Sequence, residues 1–162
     1  MIKSIENEFF EGIVADDRKK VEQILSTDKI VNINMRNEFG WTPLHRAAVN
    51  DRSGITKLLI EHGADIHLLG TDNWTPLHLA AISGNYHAAK ELVTSKADVN
   101  AEAKDGSTPL HLATIGRNKD IVKLLINYGA DLNKKTRKGE TPLDYAKERN
   151  LNEIIEILKT NG

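Results

Sequence analysis

The sequence predicts an all-α solenoid in which short helix-turn-helix units stack in one direction. The main observation is a tetrapeptide, Thr-Pro-Leu-His, which begins at Thr42, Thr75 and Thr108 and returns as Thr-Pro-Leu-Asp at Thr141. Each copy follows the last after 33 residues, and the apolar residues between the copies align at the same step. A fixed period of this length is typical of stacked repeats, which bury their apolar faces against their neighbours.

Each Thr-Pro pair is expected to begin a helix. The threonine oxygen can accept backbone N–H groups that lack partners at a helix N-terminus, and the proline already has helical φ and needs no N–H partner. After Thr75, Leu77 and Ala81 give the first helix a small apolar face, and Ala88 and Leu92 supply the second. A unit therefore contains two helices, and a polar finger leads to the next Thr-Pro.

The residues that align between the copies resemble the ankyrin repeat family. Besides the tetrapeptide, they include Leu-Leu pairs that begin at Leu58 and Leu124 and Gly-Ala-Asp triplets that begin at Gly63 and Gly129. The resemblance covers nearly all of the 162 residues. It implies a protein-protein interaction module without catalysis, whose fingers and inner helix faces form a concave surface for a partner protein. The alternative is a structural or assembly scaffold that acts through self-association or through its convex and end surfaces.

We expect a single domain of about five units. The predicted full repeats are 35–67, 68–100 and 101–133, between an N-terminal cap, 1–34, and a C-terminal cap, 134–162. The N-terminal segment repeats the apolar pattern without Thr-Pro, and the C-terminal segment surrounds its apolar side with charge, as a terminal repeat that meets water does. Gly162 falls in a glycine column of the repeat, so we expect the array to be complete there.

Two residues depart from glycine columns at helix ends. Lys96 stands where Gly63 and Gly129 close second helices, and Arg117 stands where Gly84 closes a first helix. These columns favour left-handed backbone. Both residues are therefore expected to be left-handed, at a cost of about 1 kcal/mol each.

Composition argues against several classes of function. The 22 Lys and Arg residues balance 23 Asp and Glu residues, whereas a general nucleic-acid binder has a basic excess. The chain has no cysteine, which excludes disulfides, thiolate metal sites and a cysteine nucleophile. No apolar run approaches the roughly 18 residues of a membrane span. We expect a monomeric cytoplasmic protein that binds neither nucleic acid nor membrane, while export as a bacterial effector stays open.

The histidines of the tetrapeptide are predicted to be structural. His45, His78 and His111 occupy the same position in three of the four copies, whereas a catalytic group is needed once and requires converging partners. The resemblance implies that they bond neighbouring backbone and threonine groups. Because no metalloprotease motif or phosphate-binding loop is present either, we expect no catalytic residue, no metal and no cofactor.

Eight residues are predicted to contact the partner. They are Phe39, Trp41, Val49, Trp74, Ile82, Ile115, Arg137 and Lys138. Their columns are expected to lie outside the stack, so the apolar members would form an exposed strip. Each tryptophan either binds the partner or stiffens its own finger. The basic run 134–138 is either a solvated hairpin tip or a site for an acidic partner, phosphate or nuclear import.

Overall fold

The computed structural model describes residues 2–26 and 31–162. Within these ranges the chain forms ten α-helices, one short 3-10 segment and no strand, so the predicted all-α fold is confirmed. Residues 27–30 of the predicted N-terminal cap lie outside the described residues, as does Met1.

The helices form five consecutive pairs that stack in two layers. In chain order they are α1 (Ile2–Val14) and α2 (Arg18–Ser26), α3 (Pro43–Val49) and α4 (Ser53–Glu61), α5 (Pro76–Ser83) and α6 (Tyr86–Thr94), α7 (Pro109–Ile115) and α8 (Lys119–Asn127), and α9 (Pro142–Glu148) and α10 (Asn152–Thr160). The first helix of each pair contacts the first helix of the next, and the second helices do the same. We call α1, α3, α5, α7 and α9 the inner layer and the other five the outer layer.

Each inner-layer helix after α1 begins at a Thr-Pro pair, as predicted. At the start of α3 the Thr42 side-chain oxygen accepts the backbone N–H of His45 at 3.4 Å. Nδ1 of His45 accepts the backbone N–H of Thr42 in return, at 3.3 Å. These reciprocal bonds satisfy two donors that a helix N-terminus otherwise leaves open.

An apolar core runs along the solenoid between the two layers. Its periodic members are Leu44, Leu77 and Leu110 from the inner layer and Leu59, Leu92 and Leu125 from the outer layer, all of them buried. Phe9 and Ile13 of α1 continue the core at one end, and Ile154 and Leu158 of α10 continue it at the other. Because each unit covers the apolar face of the next, contacts between units are the main source of stability.

Polar side chains also join each unit to the one before it. Asn85 and Asn118, at the starts of α6 and α8, donate from Nδ2 to the carbonyl 37 residues earlier, at 2.9 and 2.8 Å. In the same position before α4, Nη2 of Arg52 donates to the carbonyl of Val14 at 2.8 Å. These bonds satisfy the open carbonyls at the ends of inner-layer helices.

The backbone has the predicted left-handed conformation at both departures from glycine. The φ angles of Lys96 and Arg117 are 69° and 59°. They match Gly63 and Gly84 at the corresponding positions, where φ is 86° and 76°. Each side chain therefore carries the conformational cost that glycine avoids.

Candidate partner-binding surface

Four fingers precede α3, α5, α7 and α9, and all four have the same closed turn. They comprise residues 37–41, 70–74, 103–107 and 136–140. In each finger the N–H of the first residue donates to the carbonyl of the last, at 2.9, 2.7, 2.8 and 2.9 Å respectively. We call the surface formed by the fingers and the inner layer the finger face.

The tetrapeptide histidines attach the second, third and fourth fingers to the unit before each of them. In His45, His78 and His111, Nε2 donates to the carbonyl of the residue 29 positions later, at 2.9, 3.1 and 3.1 Å. Each acceptor is the last residue of the next finger. The predicted structural role of the histidines is confirmed. Their bonds fix the positions of these three fingers on the inner layer.

All three rings are completely buried, and burial lowers the pKa of each, most of all in His45 and His78. Since Nδ1 of each ring accepts a backbone N–H while Nε2 faces a carbonyl, the single proton belongs on Nε2. In His45 and His78 the pKa falls from 6.5 to about 4, although the hydrogen bonds to carbonyls oppose this effect. A second proton would place two N–H groups against each other at Nδ1.

Backbone hydrogen bonds connect the second, third and fourth fingers directly. The N–H of Lys104 donates to the carbonyl of Asp72, and the N–H of Arg137 donates to the carbonyl of Asp105, both at 2.8 Å. Gly106 permits the second bond, because its φ is 81° and a Cβ atom there would lie 3.0 Å from the Arg137 nitrogen. These three fingers therefore form one connected ribbon.

The eight residues predicted to contact a partner differ in their exposure. Phe39 is the most exposed apolar member, at 61 %. Arg137 and Lys138 are also exposed. The remaining five are partly buried, namely Trp41, Val49, Trp74, Ile82 and Ile115.

Three of these partly buried residues, Trp74, Ile82 and Ile115, pack against the core. The expectation that their columns lie outside the stack is therefore corrected for them. For Ile82 and Ile115 the physical reason is the close approach of α5 and α7 at their C-terminal ends, where a Cβ atom on Gly116 would lie 2.5 Å from the carbonyl oxygen of Ile82. Trp74 is covered because its ring stacks on the buried His78. The apolar strip on the finger face is consequently narrower than the sequence predicts.

The two tryptophans occupy equivalent positions but have different neighbours. The Trp41 ring lies 6.5 Å from the Phe39 ring, and its Cδ1 atom would lie 3.1 Å from a Cβ atom on Gly70 of the next finger. The Trp74 ring stacks on His78 at 6.5 Å with an interplanar angle of 21°. Both contacts are consistent with stiffening of the fingers, and partner binding by the tryptophans stays a prediction.

Two grooves open on the finger face, each with a volume of about 480 Å³. The N-terminal groove lies between α1, the first finger and α3, and its lining includes Phe10, Glu11, Met35, Arg36, Glu38 and Phe39. The C-terminal groove crosses the last three fingers and reaches α9, and it is lined by Asp72, Trp74, Lys104, Asp105, Thr136, Arg137, Lys138 and Tyr145. Four of the predicted residues thus lie in grooves: Phe39 in the first, and Trp74, Arg137 and Lys138 in the second.

Inner-layer residues that were not predicted from the sequence also line these grooves. Arg46 lines the N-terminal groove and Tyr145 lines the C-terminal one, and both follow the fourth residue of a tetrapeptide. Leu79 and Leu112 occupy this column in the middle units and are buried. The sequence signal that could have identified Arg46 and Tyr145 is the change from leucine to a polar or aromatic residue in this column.

Neither a metal cluster nor a membrane-spanning helix is found in the part of the chain that the structure describes. Residues 2–26 and 31–162 contain no group of three or more His, Cys, Asp or Glu side chains arranged to hold a metal ion. No helix in the same ranges combines the length and apolar content that crossing a bilayer requires.

Several known proteins share segments of this sequence. Ankyrin repeat domain-containing protein 49 of Bos taurus is 41 % identical over 51 residues, which are 32 % of this chain and 21 % of that protein. The human 2-5A-dependent ribonuclease is 40 % identical over 65 residues, or 40 % of this chain and 8 % of the ribonuclease. Palmitoyltransferase akr1 of Schizosaccharomyces pombe is 44 % identical over 52 residues, or 32 % of this chain and 8 % of the transferase.

These relatives are much longer than the segments that they share with this chain. The matched segment covers less than a quarter of the length of each relative. The similarity therefore concerns repeats and not the activities in the relatives' names. A family model described as Ankyrin repeats (3 copies) matches residues 13–103 and again residues 88–162. Since these matches take in all four tetrapeptides and most of the five helix pairs, the chain belongs to the ankyrin repeat family.

Proposed function

We propose that the chain is a non-catalytic protein-binding module whose finger face docks a partner protein. The observation that carries the proposal is the 61 % exposure of Phe39 beside a groove of about 480 Å³. A large apolar side chain held in water beside a concavity is typical of an interaction site. Ankyrin repeats are in general protein-protein interaction modules, and their fold is typically non-catalytic.

The mechanism we propose is rigid presentation. Finger-to-finger bonds and the histidine bonds to finger carbonyls order the second, third and fourth fingers before a partner arrives. The Thr71 hydroxyl of the second finger donates to the Phe39 carbonyl and so joins the first finger to them. Binding to a preordered surface avoids the cost of immobilising loops and side chains, so more of the contact energy appears as affinity. Those histidine bonds also engage both ring nitrogens of His45 and His78, which supports a role without catalysis.

The remaining parts of the proposal concern the partner and the state of the chain. We propose a protein partner and not a nucleic acid, because the net charge is −1 and no basic excess attracts phosphates. We also propose a monomer that acts in the cytoplasm. The alternative, an assembly scaffold, predicts self-association without any partner, which sedimentation at increasing protein concentration would detect.

Phe39→Ala provides the test of the proposed surface. A partner captured from the native source would be purified and titrated by calorimetry against the native chain, Phe39→Ala and Tyr128→Ala. Tyr128 is the matched control because it is 44 % exposed and follows α8 in the outer layer. We expect Phe39→Ala to weaken binding by about 2 kcal/mol, as loss of an aromatic anchor does. Equal affinities for both variants would contradict the proposal.

The tryptophans are tested by a second variant, Trp41→Ala combined with Trp74→Ala. We expect the double variant to weaken binding by roughly 2 kcal/mol or more. Its loss of stability should stay below the roughly 3–5 kcal/mol typical of a core tryptophan, since both rings are partly exposed. Chemical denaturation beside calorimetry separates the two effects. Unchanged affinity with a core-sized loss of stability would leave the tryptophans as finger supports.

A further inference from the structure

The C-terminal groove carries charged groups that the fold itself does not use. Lys104, Arg137 and Lys138 line it, and all three are exposed. None of them forms an ion pair within residues 2–26 and 31–162. By contrast, Lys134 of the same basic run is held by Glu102 at 2.5 Å, outside the groove.

The carboxylates in this groove offset its cations incompletely. Three cations face two carboxylates, those of Asp72 and Asp105. The Asp105 carboxylate is engaged in its own finger, where it accepts the backbone N–H and the hydroxyl of Ser107, both at 2.9 Å. At the edge the Arg149 guanidinium lies 5.5 Å from the centre of the Tyr145 ring, and the Glu140 carboxylate, which interacts with the Tyr145 hydroxyl, offsets that charge. The groove therefore has an excess of positive charge.

The groove also offers apolar contact between its cations. Trp74 and Tyr145 are both partly buried and both line it, although they come from different units of the solenoid. Aromatic faces of this kind bury an apolar side chain at little entropic cost. The fingers that carry the cations are joined by the Lys104 and Arg137 backbone bonds, so the spacing of the backbone positions that carry the cations is fixed in advance.

We propose that the C-terminal groove binds an acidic, extended segment of the partner protein. Carboxylates of the segment pair with Lys104, Arg137 and Lys138, and an apolar side chain between them packs on Trp74 and Tyr145. Such complementarity fixes orientation and speeds association, and it places the opposite charge where the fold has left cations unpaired. This inference rests on the proposed function, because it assigns a chemistry to part of the same finger face.

The N-terminal groove supports the assignment of the acidic segment to the C-terminal groove, because its charge is different. It has the same volume, but Glu6, Glu11 and Glu38 outnumber its two arginines. One of the two arginines, Arg36, already donates to the carbonyls of Gly40 and Leu69. An acidic segment is therefore repelled at one end of the finger face and attracted at the other.

The test uses a fluorescein-labelled peptide in which glutamate and leucine alternate, with a lysine-for-glutamate peptide as its counterpart. Fluorescence anisotropy would compare the native chain with Arg137→Gln/Lys138→Gln and with the control Lys134→Gln/Lys135→Gln. Both variants lose two cations from one basic run, but Lys134 and Lys135 do not line the groove. We expect at least a tenfold loss of affinity for the first variant and less than twofold for the control.

The two indole N–H signals in a nitrogen-proton NMR spectrum locate the peptide independently. Trp74 lines the groove and Trp41 does not, so the peptide should shift the Trp74 signal and leave the Trp41 signal in place. A Trp41→Phe variant assigns the two signals. A shift of the Trp41 signal alone would overturn the proposal.

Other outcomes separate this inference from the proposed function. Equal weakening by both double variants would show general charge attraction and would overturn the groove assignment. Preference for the lysine peptide, or for an oligonucleotide of equal charge, would overturn the acidic peptide as the occupant. If the native chain ignores the glutamate peptide while Phe39→Ala still weakens the captured partner, this inference fails and the proposed function stands.

Discussion

Acidification should destabilise the chain well before its carboxylates are protonated. His45 and His78 are completely buried, and burial lowers the pKa of each from 6.5 to about 4. Smaller effects differ between them: Arg36 lowers the pKa of His45 further, while Asp105 and Asp98 raise that of His78. Between pH 6.5 and 4 the unfolded chain therefore binds more protons than the folded chain does. Stability falls as the pH falls through this window.

The size of the effect follows from the two pKa shifts. A shift of one pKa unit corresponds to about 1.4 kcal/mol, so lowering the pKa from 6.5 to about 4 costs about 3 kcal/mol per histidine below pH 4, where the folded ring is protonated as well. At pH 4.5 the unfolded ring is almost fully protonated, and most of this cost is present. Two such terms are a large part of the roughly 5–15 kcal/mol that stabilises a typical domain.

Urea denaturation at pH 7.5, 5.5 and 4.5 measures this loss. The comparison is His45→Gln/His78→Gln, whose amides can replace the imidazole hydrogen bonds but do not titrate. We expect this variant to be less stable at pH 7.5 and to lose less stability on acidification. Carboxylates such as Asp144, whose pKa is lowered by hydrogen bonds from Thr141, lose their contribution below the usual 3.8. An equal loss of stability in both proteins between pH 7.5 and 4.5 would refute the reasoning.

Two further predictions concern backbone positions. Lys96→Gly and Arg117→Gly should each raise stability by up to about 1 kcal/mol, because both residues are left-handed. The entropy that glycine adds to the unfolded chain reduces this gain. A lower denaturation midpoint for both variants would contradict the prediction. Gly116→Ala should lower stability by about 2 kcal/mol, since its Cβ atom would lie 2.5 Å from the carbonyl oxygen of Ile82. Ser83→Ala, one period earlier and exposed, is the control, and similar midpoints for the two alanine variants would contradict the close contact.

The features that sequence predicts well are those determined within a few residues. A Thr-Pro pair begins a helix because the cap and the proline act on their own turn, and all four copies do so. Left-handed Lys96 and Arg117 were predictable from their columns for the same reason. The regular return of the histidines likewise indicated a bond that three successive units repeat.

The features that sequence predicts poorly depend on how neighbouring units pack against one another. Ile82 and Ile115 are partly covered because α5 and α7 approach closely where they end, and a column alignment carries no information on that approach. The grooves are similar cases, since Trp74 and Tyr145 line one groove although they belong to different units. Arg52 replaces the asparagine of other units in a bond between units, and composition gives no sign of that substitution.

Site-directed photo-crosslinking is the most direct test of partner binding on the finger face. A photoreactive phenylalanine would be introduced at Phe39 in one protein and at Tyr128 of the outer layer in another, and both would be exposed to the same extract of the native source. Both positions are exposed, at 61 % and 44 %, so accessibility to the extract is similar. We predict a discrete crosslinked partner from position 39 that is absent from position 128. The same partner crosslinked from position 128 and not from position 39 would contradict docking on the finger face.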